Sequence, residues 1–140
     1  MDIDINHNKD ALLKINHAFK MFSDPIDMMA YLIDLGKKSH NISNEEKIDE
    51  NIISGCTSKA WMIVSNTSHD RYCIRTDSES HIVSGLLYLL SLSVNNQSRD
   101  FINKIDALKI LSDIGINGKI TSQRTNGFLS AVQILKEKIN

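Results

Sequence analysis

The chain has few of the residues from which disulfide scaffolds and metal sites are built. Its 140 residues include two cysteines and one proline, and its five histidines show no spacing typical of metal ligands. Cys56 and Cys73 do not form a CxxC pair, which argues against a thioredoxin-like redox site. Two cysteines with scattered histidines also make a poor zinc or cluster site. A chain of this length buries roughly 70% of its unfolded surface, so it can fold without such cross-links.

The charges are balanced, and long apolar runs are missing. Sixteen basic residues oppose seventeen acidic ones, which argues against the basic surface that nucleic-acid binding requires. No run of about 18 apolar residues suggests a membrane span. Residues 1–6 lack the apolar segment of a signal peptide. The sequence therefore predicts a single cytoplasmic domain over residues 1–140, with neither nucleic acid nor membrane as a partner.

Hydrophobic periodicity predicts helices on both sides of a small sheet. Asp24, Pro25 and Gly36 mark the start and end of one helix. The segment 81–94 is apolar almost all round, which is typical of a central helix, and Asp77–Ser80 is expected to start it with caps and acidic charge. The predicted helices are 8–22, 25–36, 43–46, 81–94, 99–114 (as one or two, ended by Gly115) and 122–138; the predicted strands are 60–65 and 71–76, joined by a turn, with 52–53 as a candidate third. This order indicates an α+β fold in which a small antiparallel sheet packs against several helices.

Cys56 is the first candidate for chemistry. It follows Gly55 and precedes the apolar run Ala60–Val64, so it is expected at a turn before a strand, where another molecule can reach it. The thiolate is the reactive form of cysteine, and neighbouring peptide N–H groups or Lys59 would favour it. The alternative is a cysteine that packs as a small apolar residue.

Other candidate residues have simpler interpretations. Cys73 lies inside a predicted strand and is expected to be buried and inert. Trp61 is expected to fill the core rather than to anchor a partner. His69 and His81 are candidate bases for a Cys–His pair, but neither has a local signature and solvated histidines are the better interpretation.

The last predicted helix contains two unusual residues. Arg124 lies near its N-terminus, where a cation is unfavourable against the helix dipole, so we expect a specific partner such as a carboxylate. Gly127 lies one turn further, where glycine costs stability, so we expect a close contact there. Asp77 and Glu79 are explained by favourable charge at the start of the helix over 81–94.

These motifs, in this order, resemble the SufE/CsdE family of sulfur acceptors. The shared patterns are Y-L-I-x-L-G at 31–36, GC-x-S-x-x-W at 55–61, D-S-E at 77–79, I-V-x-G-L at 82–86 and R-x-x-G-F at 124–128. The resemblance covers about residues 12–135. The chain departs from the family pattern at Ser84, where lysine is frequent, at Ala60, where valine is usual, at 37–40, which lacks Leu-Pro, and at the extra Cys73.

The resemblance implies a compact fold shared with U-type iron–sulfur scaffold proteins and the function of a persulfide carrier rather than an enzyme. Such a carrier takes sulfur from a cysteine desulfurase (SufS/CsdA-like), stimulates it, and passes the sulfur to an iron–sulfur scaffold complex (SufBCD-like). It implies no cofactor beyond a transient persulfide. Carried over to this chain, Cys56 is the acceptor, and the loop and partner-binding residues are Gly55, Thr57, Ser58, Trp61, Asp77, Glu79 and Arg124.

Two other functions stay open at this point. An iron–sulfur scaffold of related fold needs about three cysteine ligands, and this chain has two. A thiol-dependent enzyme using Cys56 needs a base or a positive group beside the thiol. Ile52, Ile53 and Trp61 flank the loop with apolar surface, so we also expect the free protein to keep the thiol partly covered until it docks.

Overall fold

Helices pack against a two-stranded antiparallel sheet, as the sequence predicts. The computed structural model describes residues 5–39 and 42–140, with side chains from residue 8 onward. In these residues the helices are α1 (Ile5–Met21), α2 (Pro25–Gly36), α3 (His81–Val94), α4 (Arg99–Asn103), α5 (Ala107–Ile114) and α6 (Ser122–Ile139); the strands are β1 (Ala60–Ser68) and β2 (Arg71–Ser78), and 3₁₀ turns lie at Asn44–Glu46 and Asp49–Asn51. None of the described helices is long and apolar enough to cross a lipid bilayer.

The sheet is longer than its apolar residues indicate. β1 and β2 pair with Trp61 opposite Asp77 and with an irregularity between Asn66 and Ser68. The turn is therefore shorter than the predicted 66–70. Polar residues that follow the apolar part of β1 still form main-chain hydrogen bonds with β2. The candidate strand at 52–53 is wrong as a strand, since Ile52 makes only an isolated bridge to Trp61.

The central helix is α3, as predicted. Its side chains from Leu86 to Leu90 include four leucines that are almost fully buried. The helix begins at His81, and the hydroxyl of Ser80 caps it by accepting a hydrogen bond from the Val83 N–H (3.3 Å). The expectation that acidic residues start this helix is wrong, because β2 continues to Ser78 and the first turn of α3 holds no acidic residue.

Helices α2 and α3 approach each other at two glycines. A Cβ added to Gly85 would collide with the main-chain carbonyl of Leu32. A Cβ on Gly36 would lie 2.6 Å from the carbonyl oxygen of His81. This close contact fixes the N-terminal half of α3 relative to α2.

The remaining predicted helix boundaries agree with the structure to within a few residues. The carboxylate of Asp24 caps α2 by accepting from the Ile26 N–H (2.9 Å), and Pro25 is the first residue of the helix. The segment 99–114 forms two helices, since Asp106 caps α5 separately, and Gly115 ends α5. The acidic segment at 43–46 forms a 3₁₀ turn rather than an α-helix.

Candidate functional site

The loop that carries Cys56 is closed at both ends by main-chain hydrogen bonds. The Ile53 N–H donates to the carbonyl of Ala60 (2.8 Å), and the Glu79 N–H donates to the carbonyl of Lys59 (2.9 Å). Gly55 has φ +88°, in the left-handed region that favours glycine. The loop is therefore a defined turn at the end of the sheet.

Helix α6 covers the thiol. The hydroxyl of Ser130 donates to the carbonyl of Ser54, which attaches the loop to this helix. A Cβ added to Gly127 would lie 3.0 Å from the Sγ of Cys56. The close contact predicted at Gly127 is thus present, and the group in contact is the thiol itself.

A cavity of about 200 Å³ adjoins the thiol between the N-terminal ends of α3 and α6. A water molecule in the liquid occupies about 30 Å³, so the cavity has room for a few small groups beside Sγ. Its walls carry four hydroxyl groups and one guanidinium group. They belong to Thr57, Ser58, Ser80, Thr121 and Arg124, respectively.

Burial determines the ionisation of Cys56. The residue is half-buried, and this desolvation raises the pKa of its thiol above the ordinary value. The expectation that peptide N–H groups or Lys59 would favour the thiolate is therefore wrong for this state of the protein. The thiol is partly covered as expected, and the contact that covers it is with Gly127 of α6.

The raised pKa predicts the pH dependence of alkylation. In a Cys73→Ser background, we expect the rate of Cys56 alkylation by iodoacetamide to rise at higher pH in the folded chain than in the chain unfolded in urea. The reason is that the raised pKa delays formation of the thiolate. Mass spectrometry at a series of pH values measures both profiles. A folded profile that rises at the lower pH would contradict the assignment.

Arg124 forms part of the cavity wall. It is half-buried, and its main-chain N–H donates to the capping hydroxyl of Thr121 (3.3 Å). Within residues 5–39 and 42–140 its guanidinium makes no ion pair, so the predicted carboxylate partner is not found there. The guanidinium is accordingly available to an anion in the cavity.

Trp61 and Asp77 lie outside the cavity. Both contact Lys47, in the segment that precedes the Cys56 loop. The Nζ of Lys47 lies 3.2 Å from the Oδ2 of Asp77 and 5.0 Å from the centroid of the Trp61 ring. Both residues are only 6% exposed. Trp61 is therefore buried as predicted, but beneath Lys47 and outside the main apolar core.

A second ion pair attaches the same segment to β2. The carboxylate of Glu46 forms two hydrogen bonds with the Arg75 guanidinium (2.6 and 2.9 Å) and accepts a third from the Ser43 N–H (3.1 Å). These hydrogen bonds, with Arg75 contributing most, lower the pKa of Glu46 to about 2. The capping contact predicted between Ser43 and Glu46 is thus present.

The Glu46 ion pair predicts an acid-sensitive contribution to stability. A carboxylate whose pKa is lower in the folded state stabilises the fold at pH values above the ordinary glutamate pKa of about 4.3. This stabilisation is lost as the pH falls towards the pKa of the folded state. We expect the urea midpoint to fall more between about pH 5 and pH 3 in the wild type than in Glu46→Gln. Glu45→Gln, at the exposed neighbouring position, is the control and should behave like the wild type. Equal falls in all three would contradict the role of the pair.

Cys73 is more exposed than the sequence predicts. Its prediction as a buried residue is wrong, because it is half-buried and opposite Ser65, on the sheet face away from the main core. Alternation along a strand places successive residues on opposite faces, and the helices cover only the face that includes Ile74.

The structure separates the predicted site residues into two groups. Cys56, Thr57, Ser58 and Arg124 meet at the cavity. The other four predicted residues do not line the cavity but lie in the Cys56 loop, in the sheet beside it or directly after its second strand; they are Gly55, Trp61, Asp77 and Glu79. The side chain of Glu79 is exposed. No histidine among the described side chains lines the cavity, and His69 and His81 are exposed.

Sequence reasoning missed several residues around the thiol. Ser130 holds the loop, Thr121 and Gln123 line the cavity, and Lys47 links Asp77 to Trp61. Ser130 follows Gly127 by three residues, which places both on one face of α6. That spacing was the available sequence signal for Ser130.

No group of three or more histidine, cysteine, aspartate or glutamate side chains that could hold a metal ion occurs among the described residues. Both cysteines are free thiols.

Comparison with known proteins places these features in a family. Residues 13–139 match the family model described as "SufE: Fe-S metabolism associated domain". The chain is 31% identical over 131 residues to an uncharacterized SufE-like protein of Rhizobium etli, covering 91% of this chain and 88% of the relative. It is 30% identical over 131 residues to another from Rhizobium meliloti, covering 91% and 94% of the two chains.

A solved structure shares the fold. The solution structure of a hypothetical protein from Thermus thermophilus superposes with a TM-score of 0.70, covering 91% of this chain and 92% of the other. At 12% identity this likeness concerns the fold alone. The family match over residues 13–139 and the two SufE-like relatives show that the chain belongs to the SufE family, whose domain is associated with Fe–S metabolism.

Proposed function

We propose that this protein is a cytoplasmic sulfur acceptor, which takes persulfide sulfur from a cysteine desulfurase onto Cys56 and passes it to an iron–sulfur scaffold complex. The observation that carries the proposal is a half-buried thiol that opens into a cavity lined by hydroxyl groups and a guanidinium, without a histidine among the described lining residues. Such a thiol can hold one added sulfur atom, whereas thiol-dependent turnover requires a neighbouring base or an activated thiolate.

The transfer step is a thiol exchange that needs no external oxidant. The Cys56 thiol loses its proton, and its sulfur attacks the terminal sulfur of the donor persulfide. A bond forms between Sγ and that sulfur while the S–S bond of the donor breaks. The donor cysteine leaves as a thiolate and takes up a proton. Removal of its persulfide frees the desulfurase for another turnover, so the protein acts as a carrier and activator with no cofactor of its own.

The cavity suits the charge of the product. A persulfide is a stronger acid than a thiol, so sulfur loading converts a neutral side chain into an anion. Arg124 offers a cation that is unpaired within the described residues and lines the same cavity as this sulfur. The hydroxyl groups of Thr57, Ser58, Ser80 and Thr121 offer hydrogen-bond donors. These groups stabilise the loaded state more than the free thiol.

Intact-protein mass spectrometry tests the acceptor directly. The protein is incubated with a SufS-type cysteine desulfurase and cysteine, using wild type, Cys56→Ser and the matched control Cys73→Ser. We expect wild type and Cys73→Ser to gain one or more sulfur atoms, reversibly with dithiothreitol, and Cys56→Ser to gain none.

Three outcomes would contradict the proposal. Sulfur uptake that survives in Cys56→Ser and disappears in Cys73→Ser would show that Cys73, and not Cys56, is the acceptor. No uptake from several desulfurases, although iodoacetamide shows Cys56 to be reactive, would favour a thiol-dependent enzyme. A bound cluster after anaerobic reconstitution would favour a scaffold.

Arg124→Ala is expected to reduce the rate of sulfur loading by roughly tenfold, the effect of losing one charge-assisted hydrogen bond to the developing anion. Arg124→Lys keeps the charge and should recover most of the rate. Alkylation by iodoacetamide is the control. It also proceeds through the Cys56 thiolate, but its product is a neutral thioether, so Arg124→Ala should slow it less than it slows sulfur loading. Equal losses in loading and alkylation would instead indicate a disturbed loop.

A further inference from the structure

A second recess lies between α1 and the α4–α5 region. Two adjoining hollows, of about 490 and 360 Å³, share five lining residues and therefore form one open groove; the shared residues are Lys9, Leu12, Ser93, Ile110 and Asp113. This α1–α5 groove reaches the C-terminal end of α3, whereas the Cys56 cavity touches its N-terminal end at Val83. Val83 and Ser93 are about 15 Å apart along the helix, so the two sites are separate.

The groove exposes apolar surface on both of its walls. Leu13 of α1 is 66% exposed and Phe101 of α4 is 45% exposed. Leu12 and Ile110 lie between them and are only partly buried. Contiguous apolar surface of this kind, bordered by polar residues, is typical of a binding surface.

Two asparagine amides in the groove have buried atoms without a partner. The Nδ2 of Asn8, a residue only 6% exposed, lacks a hydrogen-bond acceptor within the described part of the chain, and the Oδ1 of Asn16 lacks a donor there. Asn8 lines the larger hollow and Asn16 the smaller. Buried polar atoms are nearly always satisfied, because an unmade hydrogen bond costs free energy. Both atoms lie beneath the groove surface, so a ligand can satisfy this donor and this acceptor by displacing the side chains that cover them.

The positions of the two amides favour an extended peptide. Asn8 and Asn16 are eight residues apart on α1, which is about 12 Å along the helix. An extended chain covers that distance in about four residues. Its main-chain N–H and C=O groups are free to pair with the amides, whereas those of a helix are already hydrogen-bonded to each other.

The charges along the groove favour carboxylates on that peptide. Lys109 is paired with Asp113 (3.0 Å), and Asp106 caps the start of α5. Lys9 and Lys104 also line the groove and make no ion pair within residues 5–39 and 42–140. Three lysines and two aspartates line the groove in all, so the net charge of its lining is +1.

We propose that the α1–α5 groove binds an extended segment of a partner protein, with apolar side chains at its centre and carboxylates at its ends. The apolar centre covers Leu13 and Phe101, the peptide main chain pairs with Asn8 and Asn16, and the carboxylates meet the lysines. This surface is independent of the sulfur chemistry, since none of its residues lines the Cys56 cavity.

Selection from a displayed library of random nine-residue peptides tests the groove with the full chain as the target. We expect the selected peptides to share an apolar centre with flanking aspartate or glutamate. Leu13→Asp should weaken their binding by roughly tenfold. Ile26→Asp is the matched control, because Ile26 is 75% exposed on α2 and outside the groove, and it should bind like wild type.

Asn8→Leu separates binding from stability. It removes an unpartnered buried amide, so we expect an unchanged or higher urea midpoint together with roughly tenfold weaker peptide binding. Peptides with basic ends, equal binding to Leu13→Asp, or no enrichment at all would overturn the proposal. Sedimentation equilibrium that shows a dimer lost in Leu13→Asp would assign the groove to a second copy of the chain, and would also overturn it.

Discussion

Gly85→Ala is expected to lower the free energy of unfolding by about 3 kcal/mol, as for an overpacked core position. The added methyl group would collide with the main-chain carbonyl of Leu32, on the neighbouring helix. Neither group is at the end of a flexible side chain, so α2 and α3 must move apart. Alanine gains about 1 kcal/mol of helix propensity over glycine, which is less than the packing that the separation removes.

Urea unfolding followed by circular dichroism measures the change. Gly36→Ala should also destabilise, since its Cβ would lie 2.6 Å from the carbonyl of His81 on the same helix pair. Ser93→Ala, at a half-buried position of α3 where no atom is added, is the control. A Gly85→Ala chain as stable as wild type would mean that the helix pair can readjust without loss of packing.

The helix pair also bears on the Cys56 cavity. Ser80 and Val83 line the cavity at the start of α3, and Gly36 and Gly85 determine how that end of the helix lies against α2. A Gly85→Ala chain that remains folded should therefore load sulfur more slowly at Cys56. Stability and loading are expected to change together in this variant, whereas Arg124→Ala should change loading alone.

Local signals predicted the elements but not how they cover one another. Asp24 and Pro25 identified the start of α2 because capping depends only on neighbouring residues. Cys73 was misplaced because its exposure depends on which face of the sheet the helices cover, and strand alternation does not reveal that. The thiolate expectation for Cys56 failed for a related reason, since α6 comes from a distant part of the chain and covers the thiol.

The site was predictable where a residue was locally unfavourable. Gly127 costs stability in a helix, and its close neighbour proved to be the Sγ of Cys56. Arg124 is unfavourable near a helix N-terminus, and it lines the cavity. Trp61 and Asp77 carry no such conflict, and their contacts with Lys47 depend on a segment whose path the sequence does not indicate.

Gly127→Val is expected to increase the alkylation rate of Cys56 at neutral pH by about tenfold, as a pKa lower by one unit would do. A Cβ at this position lies 3.0 Å from Sγ, and valine adds two further methyl groups. The Cys56 loop should move and α6 should stay in place, because main-chain hydrogen bonds hold the helix. A thiol displaced towards water loses the desolvation that raises its pKa, so more thiolate forms and reagents reach it more easily.

The experiment uses a Cys73→Ser background, so that Cys56 is the single thiol. Asn126→Val is the matched control, because it places the same β-branched side chain at the exposed neighbouring position of α6. Gly127→Ala should give a smaller increase, since one methyl group needs a displacement of only a few tenths of an ångström. We also expect the persulfide of Gly127→Val to be lost to dithiothreitol faster than that of wild type. Slower alkylation together with slower loss of the persulfide would contradict this prediction. It would mean that the valine side chain enters the cavity and covers the thiol, while the loop stays in place.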